Sequence, residues 1–146
     1  MADGCVFCRI ASGDEWGAIV WDEGDYVAFM DRYPVSVGHT LAAPKFHRSD
    51  VLEMSSEEAG RLFSLAARVA RAIKASLNPD GINILQNNGA AAGQVIFHAH
   101  VHVIPRYAAQ PGNPSKPLRG TRLSVTEEEL LRTAERIGDA MRKLQG

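Results

Sequence analysis

Apolar and polar positions along the chain sort into short extended runs and two helical stripes. Residues 18–22 and 26–30 are apolar runs of strand length around Glu23, Gly24 and Asp25, whose turn chemistry predicts a hairpin. Pro34 and Gly38 bracket a loop, and residues 39–43 resume an extended pattern that Pro44 closes. Ser55 and Glu58 form a capping box ahead of Ala59, Leu62, Phe63, Ala66, Val69, Ala70, Ile73 and Leu77, a helical stripe that Asn78, Pro79, Asp80 and Gly81 end. Leu65 and residues 67–72 widen its apolar face beyond one stripe, which predicts two-fold pairing with a second copy. Residues 82–86 read as a strand, 87–93 as a Gly/Ala-rich loop and 95–104 as a final strand. From Pro105 to Gly120 four prolines and two glycines mark an irregular segment. Thr126 and Glu129 then cap a second helix through Leu130, Leu131, Ala134, Ile137, Met141 and Leu144. Hairpin, strand, helix, two strands is the order of an α+β fold. It predicts an antiparallel sheet of about five strands with two main helices rather than a βαβ repeat.

Composition narrows the class. With 146 residues, 45% hydrophobic and 23% charged, the chain suits one soluble domain, 1–146, with a less typical segment from 107 onward. A formal charge of -1 supplies no basic field, so no nucleic-acid partner is expected. The start, Met1-Ala2-Asp3-Gly4-Cys5, shows neither an apolar signal core nor a myristoylation glycine, and no apolar run approaches the ~18 residues of a membrane span. A cytoplasmic protein without a membrane partner is predicted. Two cysteines, Cys5 and Cys8, are too few for a secreted disulfide framework and read as a metal pair or free thiols.

The chemistry is concentrated in His98-Ala99-His100-Val101-His102-Val103-Ile104. In a strand, alternate side chains share a face, so the three imidazoles line one side while Ala99, Val101 and Val103 enter the core. Imidazole titrates near neutral pH, attacks electrophiles and ligates metals, and three on one face exceed what packing requires. Neutral imidazole is a good nucleophile toward phosphorus, and the phosphoramidate it forms can be hydrolysed afterwards. The neighbouring loop from Asn87 to Gln94 offers backbone amides to phosphate oxygens. A metal site using all three histidines is the competing reading. Cys5 and Cys8 have knuckle spacing for zinc but fill only two of four tetrahedral positions. A redox pair is disfavoured because no helix of thioredoxin type is read after them. Lys116, Arg119 and Arg122 could reach a polyphosphate tail, although a solvated loop is the simpler reading.

The segment from Gly93 to Arg106 resembles the signature of the histidine triad (HIT) superfamily, His-φ-His-φ-His-φ-φ with φ apolar. Gly38-His39-Thr40-Leu41 with Pro44-Lys45-Phe46-His47 is similar to a second block, and Phe29-Met30-Asp31 to a third. The resemblance implies a dimeric α+β protein that hydrolyses or transfers nucleoside monophosphates through a nucleotidyl-histidine intermediate. It implies that His100 is the nucleophile, with His102, Gln94 and Asn87 on phosphate oxygens. Asp31 is placed on the ribose hydroxyls, and Phe7, Ile10, Phe29 and Leu41 around a base, expected to be a purine. Val95 replaces the Ser or Thr that several such hydrolases carry after the glutamine, so their leaving-group preference does not transfer. Glutamine in place of the third histidine marks the transferase branch; His102 favours hydrolysis. Some bacterial members share the cysteine pair, and there His47 and His98 would complete a structural zinc site. Phosphoramidates, adenylates and dinucleoside polyphosphates all fit, against the alternatives of a nucleotide-binding regulator with little turnover or a nucleotidyltransferase.

Overall fold

The computed structural model describes residues 4–109 and 122–145. Its elements are α1 (Val6–Ser12), β1 (Ile19–Glu23), β2 (Tyr26–Met30), β3 (Thr40–Pro44), α2 (Ser56–Leu77), β4 (Gly81–Leu85), β5 (Val101–Arg106) and α3 (Glu127–Leu144). The strands form one five-stranded antiparallel sheet in the order β1-β2-β3-β5-β4. The expected α+β architecture is present, with a third, short helix that the hydrophobic pattern did not announce.

Both capping boxes form as read, at Ser55/Glu58 and Thr126/Glu129, and Asn78 ends α2 in the left-handed conformation at φ 49°. Acidic residues crowd the first turns of both helices and basic ones their last turns, the arrangement the helix dipole favours. On α2 the residues that enter the core are Leu62, Leu65, Ala66, Val69, Ala72 and Ile73, while Phe63 is exposed. The broad face therefore packs inside this chain. On α3, Leu130, Ala134, Ile137, Gly138, Ala140 and Met141 pack into the same core, and Leu131 and Leu144 remain exposed.

Strand alternation gives the sheet two dissimilar faces. Tyr26, Ala28, Met30, Ala42, Val101 and Val103 meet α2 and α3, whereas Val27, Phe29, Leu41 and Ala43 meet α1 through Phe7 and Ile10. Strands β2 and β3 are consequently buried along their whole length, because both faces are covered. The register pairs Phe29 with Leu41 and Leu41 with His102, so these three run in a row across the α1 face.

The last strand departs from its expected bounds of 95–104. Residues 95–100 are irregular, and pairing begins only at Val101. Their backbone is engaged elsewhere: Ala99 N–H donates to the Arg48 carbonyl at 2.7 Å, and the His98 carbonyl accepts from a side chain at 2.6 Å. Alternation still sends Ala99, Val101 and Val103 to full burial. Of the irregular segment expected after Pro105, residues 110–121, including Lys116 and Arg119, lie outside the described part.

Candidate functional site

A cleft of about 810 Å³ opens beside the α1 face of the sheet. It is large enough for a small-molecule ligand. Its walls include every residue expected to bind nucleotide: Phe7, Ile10, Phe29, Asp31, Leu41, Asn87, Gln94, His100 and His102. Helix α1 creates the apolar part. Phe7 and Ile10 stand three positions apart on one side of it, and Phe7 meets Phe29 edge-on at 5.2 Å and His100 at 5.0 Å. Val95 also borders the cleft and is 81% exposed, an apolar residue at the rim.

Main-chain groups set the tautomers of His100 and His39, and His39 sets that of His102. The Nδ1–H of His100 donates to the His98 carbonyl at 2.6 Å, which leaves Nε2 as the unprotonated nitrogen of a ring lining the cleft. His39, which the sequence reading left without a role, lies fully buried behind the triad. Its Nδ1 accepts the Val35 N–H at 3.2 Å, so its Nε2 carries the proton and donates to His102 Nδ1 at 3.0 Å. His102 must then be protonated on Nε2. Donors thus run in one direction, from Val35 through His39 to His102. The signal for His39 was present in the Gly38-His39 block, where Gly38 adopts φ +101° against Leu77 and Pro105, but a single strand histidine gave no hint of its partner.

Burial keeps these rings neutral. It pushes His39 down to about 2, aided by His102, and His102 down to about 3, aided by His100. His100 is lowered by burial too, with its bond to the His98 carbonyl opposing. Asp31 is raised by burial, while the Tyr33 N–H and Arg122 pull it back. Its Oδ2 lies 3.4 Å from His39 Nε2.

Gln94, at the wall of the cleft, is bonded to the loops around it. Its amide donates to the Ser49 and Ile96 carbonyls at 2.7 and 3.0 Å and accepts from Gly89 N–H at 2.7 Å. The side chain knits the Gly/Ala-rich loop to the loop after β3. Arg122 differs from its reading: it reaches the cleft and donates to the Tyr33 carbonyl at 2.7 Å.

Among the described residues, two clusters hold several potential metal ligands. In the first, donor atoms of Cys5, Cys8, His47 and His98 all lie within 4.8 Å of one another. Cys5 Sγ and Cys8 Sγ sit 3.2 and 3.5 Å from His98 Nδ1, and Cys8 Sγ sits 3.5 Å from His47 Nδ1. A tetrahedral zinc with ordinary bond lengths sets a sulfur–nitrogen edge of about 3.5 Å, so this set fits the ion. His98 Nε2–H donates to the Pro44 carbonyl at 2.8 Å and leaves Nδ1 bare for a metal. Burial pushes the Cys8 thiol up to about 11, so a cation must displace its proton. Cys5 caps α1 by accepting the Cys8 N–H at 3.4 Å. That helix removes the argument used against a redox pair; the two imidazoles beside the sulfurs are what favour metal. The second cluster, Asp31, His39 and His102, is equally compact. It suits a metal poorly, because the Val35 N–H holds the proton of His39 on the nitrogen that would have to bind. The reading in which all three triad histidines ligate one ion has no support in this geometry.

The HIT domain family model matches residues 14–109. Protein hit of Bacillus subtilis strain 168 is 43% identical over 111 residues, covering 76% of this chain and 77% of that one. The adenosine 5′-monophosphoramidase hnt1 of Schizosaccharomyces pombe is 35% identical, with coverage of 86% and 95%. The adenylylsulfatase HINT3 of Arabidopsis thaliana is 36% identical, over 85% of this chain and 63% of its own. Among solved structures, a hypothetical histidine triad nucleotide-binding protein from Sulfolobus tokodaii superposes with a TM-score of 0.86 at 33% identity, covering 97% and 94% of the two chains. A zinc-bound histidine triad family protein from Mycobacterium smegmatis does so with 0.84 at 30% identity, covering 99% and 97%. With the family model spanning most of the sheet, and His98, His100 and His102 arranged as described, this chain belongs to the HIT domain family.

Proposed function

We propose that this protein hydrolyses nucleotidyl compounds, with a purine nucleoside in the cleft, by covalent catalysis at His100. The observation that carries the reading is the 2.6 Å bond from His100 Nδ1–H to the His98 carbonyl, which holds Nε2 unprotonated in the cleft. In the first step Nε2 attacks the α-phosphorus, a nitrogen–phosphorus bond forms, and the bond to the leaving group breaks with its electron pair, the leaving group taking up a proton. Water then attacks phosphorus and releases the nucleoside monophosphate and free imidazole. His102 Nε2–H donates to a phosphate oxygen, with its Nδ1 held by His39. Asp31 accepts from the ribose, and Phe7, Ile10, Phe29 and Leu41 enclose the base. One relative is named for cleaving a phosphoramidate and another for an adenylyl sulfate, which supports a constant nucleotidyl part and a variable leaving group.

Cys5, Cys8, His47 and His98 hold a structural zinc in this reading, one that fixes His98 and with it the carbonyl that orients His100. The protein acts as a homodimer. The apolar face of α2 is already used within the chain, whereas β4, which among the described residues bonds only β5, exposes Ile84 at 45% and offers an edge for pairing.

The test is a substrate panel of adenosine phosphoramidate, diadenosine polyphosphates and adenylated lysine, with acid-quenched mass spectrometry. A nucleotidyl adduct on His100 is expected. His100→Asn should lose roughly a thousandfold or more in turnover while still binding AMP. Turnover near wild type in that variant refutes the assignment.

A further inference from the structure

Arg122 comes from beyond residues 14–109, the part that matches the family model, yet its side chain reaches the cleft. Its Nη1 donates to the Tyr33 carbonyl at 2.7 Å and stands 3.5 Å from Asp31 Oδ2. The two carboxylate oxygens of Asp31 are used unequally. Oδ1 accepts the Tyr33 N–H at 2.8 Å, whereas Oδ2 has His39 Nε2 at 3.4 Å and Arg122 at 3.5 Å. Both distances exceed the ~2.7–2.9 Å of a good charge-assisted bond, so Oδ2 retains capacity for a closer donor. Among the described residues, the other arginine at the cleft is already employed: Arg32 pairs with Glu127 at 3.2 Å and lies over Trp16 at 5.0 Å.

A sugar hydroxyl has both a hydrogen to give and lone pairs to fill. A carboxylate meets only the first need. A guanidinium carries about five N–H donors in a fixed fork, and the bond to the Tyr33 carbonyl holds that fork beside Oδ2. A hydroxyl that donates to Oδ2 therefore brings its oxygen within reach of Arg122, and the pair satisfies it completely.

We infer that Arg122 is a sugar-binding residue of this cleft, which with Asp31 holds a ribose hydroxyl and selects ribonucleotides over deoxyribonucleotides. The inference rests on the nucleotide reading above and adds a residue and a specificity to it. A deoxy analogue offers Oδ2 no donor and the guanidinium no acceptor at that point, so it forfeits both bonds.

Calorimetric titration of the full chain with AMP, 2′-deoxy-AMP and 3′-deoxy-AMP tests this, because binding needs no turnover. Wild type should bind at least one deoxy analogue about tenfold more weakly than AMP. In Arg122→Ala, AMP should weaken severalfold while that analogue changes little, so the ratio falls to the part that Asp31 alone supplies. Arg122→Lys, keeping charge without the fork, should retain only part of the ratio. An unchanged melting temperature separates a lost contact from a lost fold. A ribo-to-deoxy ratio equal in wild type and Arg122→Ala, or no discrimination in wild type, overturns the inference while AMP binding still stands. A wild type that binds no AMP overturns the nucleotide reading and this inference together.

Discussion

Acidification from about pH 7.5 to about pH 5 should destabilise this fold by about 4 kcal/mol through His39 and His102 alone. Burial, with each ring's neighbouring imidazole adding to it, lowers His39 to about 2 and His102 to about 3, so neither is protonated in the native state at pH 5. An unfolded imidazole titrates near ~6.5. Folded values below the unfolded one mean that the unfolded chain binds the extra protons. The stabilisation is therefore complete above ~6.5 and is lost as pH falls through the window toward the folded values. At pH 5 the unfolded state gains about 2 kcal/mol for each histidine, a figure set by the unfolded pKa and unaffected by how far below 5 the native one lies. Two such terms are a large part of the ~5–15 kcal/mol that holds a domain together and correspond to roughly 10 °C in melting temperature. Asp31, raised by burial, acts in the opposite sense, and an Asp31→Asn background removes it. The assay is urea unfolding between pH 8 and 5 with a chelator present, so that metal release does not enter. His102→Gln keeps an acceptor for His39 Nε2–H and should remove about 2 kcal/mol of the pH dependence, the share of one ring. Stability flat across this range, or an equal slope in the variant, refutes the account of buried neutral rings.

Elemental analysis should find about one zinc per chain, and Cys5→Ala/Cys8→Ala should lose it together with several degrees of melting temperature, since metal binding is linked to folding. Zinc that persists in that variant would place the ion elsewhere. Gly138→Ala should destabilise by about 1–3 kcal/mol despite alanine's better helix propensity, because a Cβ there would stand 2.9 Å from the Val20 carbonyl where α3 crosses β1; denaturant unfolding reads it, and a neutral result shows that the helix can shift. Light scattering should give twice the chain mass, and a charged residue in place of exposed Ile84 on β4 should shift the equilibrium toward monomer. A wild type that stays monomeric at high concentration removes the dimer.

Most of the fold was legible because its signals are local. Capping boxes, turn residues and apolar periods fixed both long helices and four of the five strands to within a residue or two. Helix α1 escaped because it is one short helix of seven residues whose N-cap is a cysteine, a residue type with no place among the usual capping signals. The overlong final strand has a different origin. Alternation of His98, Ala99 and His100 persists in side-chain direction, but the main chain there bonds to Arg48 and to an imidazole instead of to a neighbouring strand. Within the site, the histidines and Asp31 could be named from the sequence, whereas the roles of His39, Gln94 and Arg122 depend on partners 63, 45 and 91 positions away. Such contacts belong to tertiary structure, and no local pattern encodes them.

The relay from Val35 through His39 to His102 has an electrical consequence. Each link is an uncharged dipole, and all of them point the same way, so their fields add at the end that meets the cleft. An anion there would encounter the positive end of an aligned array without any full charge having been buried to attract it. Neutral dipoles gather no counterions, and their pull on a phosphoryl group should be nearly indifferent to ionic strength. Whatever salt dependence nucleotide binding shows would then report on the full charges at the cleft, Asp31, Arg32, Arg122 and Glu127 among them, and comparing its slope in wild type and Arg122→Ala would isolate the arginine's part.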